Sequence, residues 1–325
     1  MFVEKMDSFN KIDKFIIKLL NLNISPKRFH YNEIYLKLLN NEFTYEEYKN
    51  RLTTIKIYIK QLDIIKKIPI IEQCSKEWFE TRKNILTASD THNAILKSKN
   101  LIKNKALEIV NFIKGDALTW GKQFEPIANN IYSIENDNIK IFEFGVIKAT
   151  QIDPDTNIPF YGASPDGITS NGIMLEIKCP YSRKIKENYI KPDYMDQVQG
   201  QMAVCKLKEC DFAEFEFQKI SKEEFFNIDC KYYGCFIVNS ENQDKIDYYS
   251  ELCSEPINCY LNILKLNYNN TKKVIFWKLK KMNIQRINFD EDKWNDYYIP
   301  KLKEFWDKVQ SYEEDNKIDF RSDSD

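Results

Sequence analysis

Two acidic residues and a lysine stand close together in the stretch ASPDGITSNGIMLEIKCP, residues 163–180. Asp166 and Glu176 flank the turn sequence TSNG, so a hairpin folded there places the two carboxylates side by side. Residues two apart in a strand share a face, which puts Lys178 beside Glu176 and turns Ile177 toward the core. Carboxylates that close repel one another unless a cation lies between them.

A hard divalent cation such as Mg²⁺ would relieve this repulsion, because it binds oxygen ligands and keeps several waters. The backbone carbonyl of Ile177 and a phosphate oxygen of a substrate could complete the ligand set. Lys178 could lower the pKa of a water or stabilise charge on a scissile phosphate. A short D-x9-E-x-K pattern is by itself more typical of solvated surface ion pairs, so the flanking sequence has to decide.

The segments around the hairpin carry further polar groups at helical spacing. Glu125 is a third acid, at the end of WGKQFE (120–125), and Pro126 predicts that a helix starts or kinks close to it. Directly after the hairpin, YMDQVQGQM places Gln197 and Gln201 on one face of a predicted helix.

Upstream of the hairpin, TRKNILTASD offers a cation and a hydroxyl. Ser89 is predicted to be the N-cap of a helix, and Arg82 lies seven residues before it. A guanidinium beside a helix N-terminus is a favourable seat for a phosphate.

The order of elements predicts a mixed α/β core around a central sheet. A helix that buries Phe124, Ile127, Ala128 and Ile131 precedes three strand-like runs, IFEFGVIKAT, FYGASPDGI and IMLEIKC. The glutamine-bearing helix follows, and then FAEFEFQ alternates apolar and acidic residues as a half-buried strand does. KKVIFWKLKKMNIQRINFD predicts another strand, and residues 291–315 predict a long helix that is split at Pro300.

Composition narrows the class of protein. The 325 residues are 43% hydrophobic with a net charge of −1, so the chain can bury a large core and is not coated in positive charge. The eight cysteines form no C-x-x-C pair and lie far from the two histidines, which favours free thiols in a reducing compartment over a zinc site. Without a signal peptide or a long apolar run, the chain is expected to be soluble and intracellular.

Five motifs in this order resemble one family of nucleases. WFETRKNILTAS, WGKQFE, SPDG, LEIKCP and YMDQVQ are similar to the motifs of the phage lambda exonuclease, or viral YqaJ-type recombinase, branch of the PD-(D/E)XK superfamily. The resemblance covers roughly residues 74–220, and the segment from Trp294 to Trp306 is similar to the helix that closes this core. Any one motif is weak, whereas five in order and at similar spacing are specific.

The resemblance implies a role for each candidate residue. Asp166 and Glu176 would be metal ligands, together with the Ile177 carbonyl, and Lys178 would activate water or contact phosphate. Glu125 would hold the metal directly or through water, leaving open one metal or two. Gln197 would orient the attacking water or the scissile phosphate. Arg82 and Ser89 would hold a terminal 5′-phosphate.

The resemblance further implies a Mg²⁺-dependent 5′-to-3′ exonuclease on linear double-stranded DNA, which leaves 3′ single strands for recombination, repair or DNA degradation. Mn²⁺ is expected to substitute for Mg²⁺, and a single-strand annealing protein and a homo-oligomer are candidate partners. Two alternatives stay open: a structure- or sequence-selective endonuclease on the same fold, and a non-catalytic DNA-binding protein.

The resemblance also sets domain limits. Residues 1–68 are interpreted as an N-terminal helical appendage, 69–318 as the nuclease domain with an insertion at about 225–270, and 319–325 as a flexible tail.

The basic loop after the active strand could line a DNA groove or simply be solvated; its members are Arg183, Lys184, Lys186 and Lys191. Trp78, Trp120 and His92 are expected to have structural roles.

Overall fold

The computed structural model describes residues 45–71, 75–109, 115–239, 246–250, 252, 254–265 and 272–322, and the structural statements that follow hold for those residues. The predicted helices in residues 8–44 lie outside this part of the chain. The first described helix is α1 (Tyr45–Ile65).

A mixed sheet of seven strands forms the centre of the molecule, in the order β2-β5-β6-β7-β10-β8-β9. β6 and β7 are parallel, and every other neighbouring pair is antiparallel. The strands are β2 (Ile141–Phe142), β5 (Gly167–Thr169), β6 (Met174–Lys178), β7 (Glu209–Ile220), β8 (Tyr233–Asn239), β9 (Ile246–Tyr249) and β10 (Lys272–Asn288). The predicted mixed α/β core is confirmed.

A second, three-stranded sheet in the order β1-β4-β3 lies beside the first. Its strands are β1 (Leu86–Thr87), β3 (Ile147–Lys148) and β4 (Tyr161–Ala163). Two runs that were each predicted to form one strand instead form two strands each, so those two predictions are wrong. IFEFGVIKAT and FYGASPDGI each divide between the two sheets, the second of them at residues 164–166, where Pro165 has no amide proton to donate to a ladder.

Helices cover both faces of the central sheet. The remaining described helices are α2 (Lys76–Lys83), α3 (Thr91–Ile95), α4 (Lys99–Ala106), α5 (Asp116–Glu135), α6 (Ala149–Ile152), α7 (Pro192–Cys205), α8 (Lys222–Phe226), α9 (Pro256–Lys265), α10 (Glu291–Lys293) and α11 (Ile299–Ser322). α5 runs unbroken through Pro126, so a helix start at Glu125 is wrong. The predicted split near Pro300 takes the form of a π-helical turn, Trp294–Tyr298, immediately before α11.

Two hydrophobic cores lie on opposite faces of β6. Met174 packs with Val198 and Met202 of α7, in the first core. Leu175 and Ile177 belong to the second core, which holds the apolar face of α5. β6 is therefore buried on both sides, and a polar residue in it needs a built environment.

α1 packs into the first core. Leu62 and Ile65 are buried there, and Gln61 Nε2 donates a 2.9 Å hydrogen bond to the carbonyl of Cys205 at the end of α7. The segment assigned to the appendage thus contributes core side chains, although the limits predicted at residues 68 and 318 stay predictions. α11 continues to Ser322, through residues 319–322 of the segment interpreted as a tail. Within the described residues, no helix has the length and hydropathy that a membrane span requires.

A partly buried ion cluster attaches α1 to β7. Glu209 pairs with both Arg51 of α1 and Arg286 of β10, and it accepts a 3.2 Å hydrogen bond from the hydroxyl of Tyr58. Arg286 also pairs with Asp211, which is buried. Burial raises the pKa of Glu209, but the two guanidinium groups outweigh burial and hold it below its ordinary value of 4.5.

Glu209→Gln should make the protein less stable at pH 7, by roughly 2–3 kcal/mol, because Arg51 and Arg286 lose their shared counter-charge. A lowered folded-state pKa contributes stability that is present above pH 4.5 and is lost as the pH falls through the folded value. The difference between wild type and variant should therefore shrink in acid. Urea unfolding from pH 7 down to pH 3 measures it. Glu291→Gln is the control, because Glu291 forms an exposed pair with Lys208; an equal loss there would contradict the prediction.

Candidate active site

The β5–β6 hairpin places the first two acids side by side. Gly167 pairs with Leu175, so Asp166 follows opposite Glu176 at the open end of the hairpin. Asp166 Oδ2 accepts a 2.6 Å hydrogen bond from the backbone N–H of Ile177. The connecting turn is closed by Gly172, whose φ of +74° suits glycine.

Glu176 is buried in the sheet, with 1% of its surface exposed, and its two oxygens are fully engaged. Oε1 accepts from Lys178 Nζ and, at 2.7 Å, from Gln197 Nε2. Oε2 accepts from Gln201 Nε2 at 2.8 Å. The two glutamines are one turn apart on α7, so the helix face predicted from their spacing is the one that holds this carboxylate.

Lys178 lies on the same face as Glu176 and reaches the surface, with 22% of its side chain exposed. Its ammonium also lies 5.1 Å from the ring centroid of Tyr194. Burial would lower the pKa of Lys178, but Glu176 and Asp166 outweigh burial and raise it. An ammonium has three donors, so one can be held by Glu176 while others face the solvent side.

A cleft of about 470 Å³ opens beside this hairpin and contains the third predicted acid. Glu125 lines it from α5 and Asp166 lines it from the hairpin. Glu143 also lines it, and this acid was missed by the sequence analysis. Because Phe142 of β2 pairs with Ile168, Glu143 follows opposite Gly167, next to Asp166. Only the strand pairing reveals this, since no motif in the chain singles out Glu143.

The negative charges in the cleft are incompletely balanced. Burial raises the pKa of Asp166 well above its ordinary value, and Glu176 and Glu125 raise it further against the opposing effect of Lys178. Burial likewise raises the pKa of Glu125, with Glu176 and then Glu143 adding to the rise and Lys178 opposing it. The positive charge of Lys178 therefore does not balance the negative charge of these carboxylates.

The donor chemistry of the cleft fits a hard cation. Among the described residues, no three His, Cys, Asp or Glu side chains lie close enough together to surround a metal ion. Asp166 and Glu176 make hydrogen bonds within the protein instead. Mg²⁺ does not require such a cage, since one or two carboxylates and several waters suffice. Two buried oxygens, Gln201 Oε1 and Ser164 Oγ, also have no hydrogen-bond partner within the described part of the chain.

Thr87 contacts both of the predicted phosphate-binding residues, Arg82 and Ser89. Thr87 Oγ1 lies 3.0 Å from Ser89 Oγ and accepts a 3.4 Å hydrogen bond from Arg82 Nη2. The Arg82 guanidinium stacks 4.3 Å from the ring of Trp78. Asp90 adds a negative charge here, which Lys105 balances through a 3.2 Å ion pair. Thr87 was missed, although it lies inside the quoted motif.

The predicted N-cap at Ser89 is wrong. A 3₁₀ turn (Ala88–Asp90) begins after Thr87, which forms a capping box with Asp90, and α3 follows with Asp90 as its N-cap. α3 has five residues, too few for a substantial macrodipole. The candidate phosphate site therefore rests on the Arg82 guanidinium and the exposed hydroxyl of Ser89, because Thr87 is buried and its hydroxyl donates a 2.8 Å hydrogen bond to Asp90.

His92 belongs to a hydrogen-bond chain that joins α3 to α7. Its Nδ1 lies 2.7 Å from Asp196 Oδ2, and the other Asp196 oxygen accepts a 2.6 Å hydrogen bond from the Tyr298 hydroxyl. Asp196 immediately precedes Gln197. His92 therefore helps to fix the helix that carries the two glutamines, in keeping with the structural role expected for it.

Asp166→Asn should stabilise the metal-free protein, because it removes one charge from a group of buried, mutually repelling carboxylates. We expect the thermal midpoint in EDTA to rise by about 2–4 °C, as for about 1 kcal/mol in a domain of this size. The stabilisation that Mg²⁺ gives to the wild type should disappear in the variant. Differential scanning calorimetry measures both. Asp153→Asn, at an exposed pair with Lys206, is the control, and a lower midpoint for Asp166→Asn would contradict the prediction.

Comparison with known proteins finds one similar viral protein and two structures that share the fold. An uncharacterized protein of Acanthamoeba polyphaga mimivirus is 28% identical over 319 residues, covering 80% of this chain and 56% of that protein. The chain thus spans about half the length of this curated relative. Two crystal structures of an alkaline exonuclease from Laribacter hongkongensis, one of them in complex with dAMP, share the fold. Each has a TM-score of 0.50 and 21% identity and covers 76% of this chain and 99% of the exonuclease.

The family match covers the residues that build the site. Residues 77–208 match the YqaJ-like viral recombinase domain, an interval that includes Arg82, Glu125, the β5–β6 hairpin and α7. The motifs quoted from the sequence lie within the same interval. This part of the chain, residues 77–208, is therefore similar to the YqaJ-like viral recombinase domain.

Proposed function

We propose that this protein is a Mg²⁺-dependent deoxyribonuclease that digests linear double-stranded DNA from its 5′ ends and leaves 3′ single strands. One observation carries the proposal: Glu125, Asp166 and Glu143 line a single cleft beside Glu176 and the partly exposed side chain of Lys178. Such an excess of carboxylate over cation is suited to a metal that binds a phosphodiester. The YqaJ-like domain and the fold shared with a protein named an alkaline exonuclease support it.

Asp166 and Glu176 would hold Mg²⁺ together with the Ile177 carbonyl, and Glu125 would hold it directly or through water, with Glu143 as a further oxygen donor. When bound, the metal would polarise the scissile phosphate and favour the ionised form of an attacking water. Mn²⁺, which also takes oxygen ligands, is expected to substitute.

The chain's own residues would position the reactants. Gln197 and Gln201 hold Glu176 with one carboxamide N–H each, so the carboxylate cannot turn freely. Gln197 would also orient the attacking water or the phosphate. The ammonium of Lys178 would stabilise the charge that develops on the phosphate oxygens.

The pair formed by Arg82 and Ser89 would bind a terminal 5′-phosphate. A monoester carries nearly two negative charges and an internal phosphodiester carries one, so this pair favours an end. A product with a 3′ single strand is the substrate class of a single-strand annealing protein, which we propose as a functional partner.

Linear and covalently closed circular duplex DNA should be digested very differently. We expect wild type with Mg²⁺ to degrade the linear form and spare the circle, and EDTA or Asp166→Ala to abolish degradation. Release of acid-soluble nucleotides, with circular dichroism to check the fold, measures this. Equal cutting of circles would replace the exonuclease with the endonuclease alternative, and DNA binding without cleavage of any form would favour the non-catalytic one.

Lys178→Ala should lower kcat by a factor of about 10²–10³, the usual loss when one preorganised charge stabiliser is removed. DNA affinity should change much less, because many phosphate contacts share the binding. Single-turnover cleavage gives the rate, and anisotropy in EDTA gives Kd. Lys122→Ala is the control, since this exposed lysine lies on the same helix as Glu125. A Kd that rises in proportion to the fall in rate would make Lys178 a binding residue only.

Arg82→Ala should erase a preference for phosphorylated ends. Wild type should digest 5′-phosphorylated linear duplex faster than 5′-hydroxyl duplex, since the guanidinium can pair with the more highly charged monoester. The variant should digest both at one slower rate. Lys83→Ala, whose amine pairs with Glu80 at 2.8 Å, is the neighbouring control. A variant that keeps the preference would remove Arg82 from the proposed end site.

A further inference from the structure

The segment 180–191, which follows the active strand, presents two unusually exposed tyrosines. Tyr181 is 51% exposed and Tyr189 is 50% exposed. Between them, Lys184 and Lys186 are also exposed. Most large aromatic side chains in the described part of the molecule pack into one of its cores. Two half-exposed tyrosines with two amines in one short segment therefore suit a ligand better than they suit the fold.

Both rings are held in place. The edge of Tyr181 meets Trp120 of α5, with 5.4 Å between ring centroids. Trp120 is 8% exposed, so it acts as a buried support while Tyr181 presents the outer surface. The ammonium of Lys186 lies 5.6 Å from the centroid of Tyr189. A ring that is already oriented loses less conformational entropy when a ligand stacks on it.

Positive charge continues from this segment to the active site. Three cations surround the ring of Tyr194 on α7: Lys178 at 5.1 Å, Arg183 at 5.6 Å and Lys191 at 5.5 Å. Glu176 offsets the first charge and Glu214 the second, through ion pairs. The cations still repel one another, and an added anion near them would relieve that repulsion.

Flat aromatic faces along a track of cations are the features that bind unpaired bases and their phosphates. In a duplex the base faces are stacked on one another, so exposed tyrosines gain little from it. A protein partner would have no need of amines spaced between rings.

We propose that segment 180–191 is a single-stranded DNA site, in which Tyr181 and Tyr189 stack on unpaired bases and Lys184 and Lys186 contact the phosphates between them. The site begins three residues after Lys178. It would hold the unpaired strand immediately beside the proposed scissile phosphate, and this placement rests on the proposed function. The binding itself can be measured without cleavage.

Anisotropy titrations in EDTA, with a fluorescent twelve-residue oligothymidylate and a blunt duplex of 24 base pairs, test the site. The double variant Tyr181→Ala/Tyr189→Ala should raise the Kd for the single strand about tenfold for each lost stacking partner. The Kd for the duplex should stay within about twofold. Tyr181→Phe/Tyr189→Phe keeps both rings and should bind both ligands as wild type does. Phe226→Ala is the matched control, an exposed ring on α8 rather than in this segment.

The contribution of Lys184 and Lys186 can be measured separately, from the salt dependence of binding. Lys184→Ala/Lys186→Ala should lower the slope of log Kd against log salt for the single strand by about 1.4, or about 0.7 for each lost phosphate contact. Lys222→Ala, which removes an amine from the Tyr260 ring, should leave the slope unchanged. Thermal unfolding of each variant shows whether it is folded.

The outcomes separate this site from the nuclease proposal. If the tyrosine-to-alanine variant is folded and binds the single strand as wild type does, the stacking site is wrong. If wild type digests linear duplex but does not bind the single strand, the site is wrong and the nuclease proposal stands. If the variants lose single-strand binding while wild type degrades no DNA, the site stands and the proposed function fails.

Discussion

The buried carboxylate of Glu176 imposes the strictest constraint on this molecule. An ionised carboxylate in a sheet that is covered on both faces is costly unless hydrogen bonds replace its water. Gln197, Gln201 and Lys178 supply those hydrogen bonds. Because two of the three donors come from α7, this helix must lie at one depth and one rotation over β6. Gly200 allows that approach, since a Cβ there would collide with the Tyr161 hydroxyl.

The candidate active site lies where the two hydrophobic cores meet. Along β6, Leu175 and Ile177 pack toward α5, and Glu176 faces α7 between them. Glu125 extends from α5 into the cleft at the open end of the short strand β5. The acids therefore come from elements of both cores but meet at one sheet edge. A change in either core would alter their separation, so the rigidity of the packing preorganises the site.

Local sequence signals predicted those parts of the site that are formed by residues close together in the chain. The TSNG turn placed Asp166 beside Glu176, and i, i+4 spacing put Gln197 and Gln201 on one helix face. What the sequence could not predict depends on strand pairing: Glu143 reaches the cleft only because β2 pairs with β5. The N-cap at Ser89 failed because Thr87 competes for the same turn through Asp90. The two split strands failed because each run passes from one sheet to another, which periodicity does not record.

The first described helix packs against the β5–β6 hairpin that carries the candidate site. Gly172 closes the β5–β6 turn against Tyr58 of α1, where a Cβ would lie 2.5 Å from the Tyr58 backbone. The Tyr58 hydroxyl in turn donates to Glu209, which Arg51 and Arg286 hold at the start of β7. β7 is the parallel neighbour of β6. α1 therefore braces the hairpin at its turn and the adjacent strand at its first residue, while the acids lie at the opposite, open end. A helix that contributes no residue to the candidate site thus supports the strand pair that carries it.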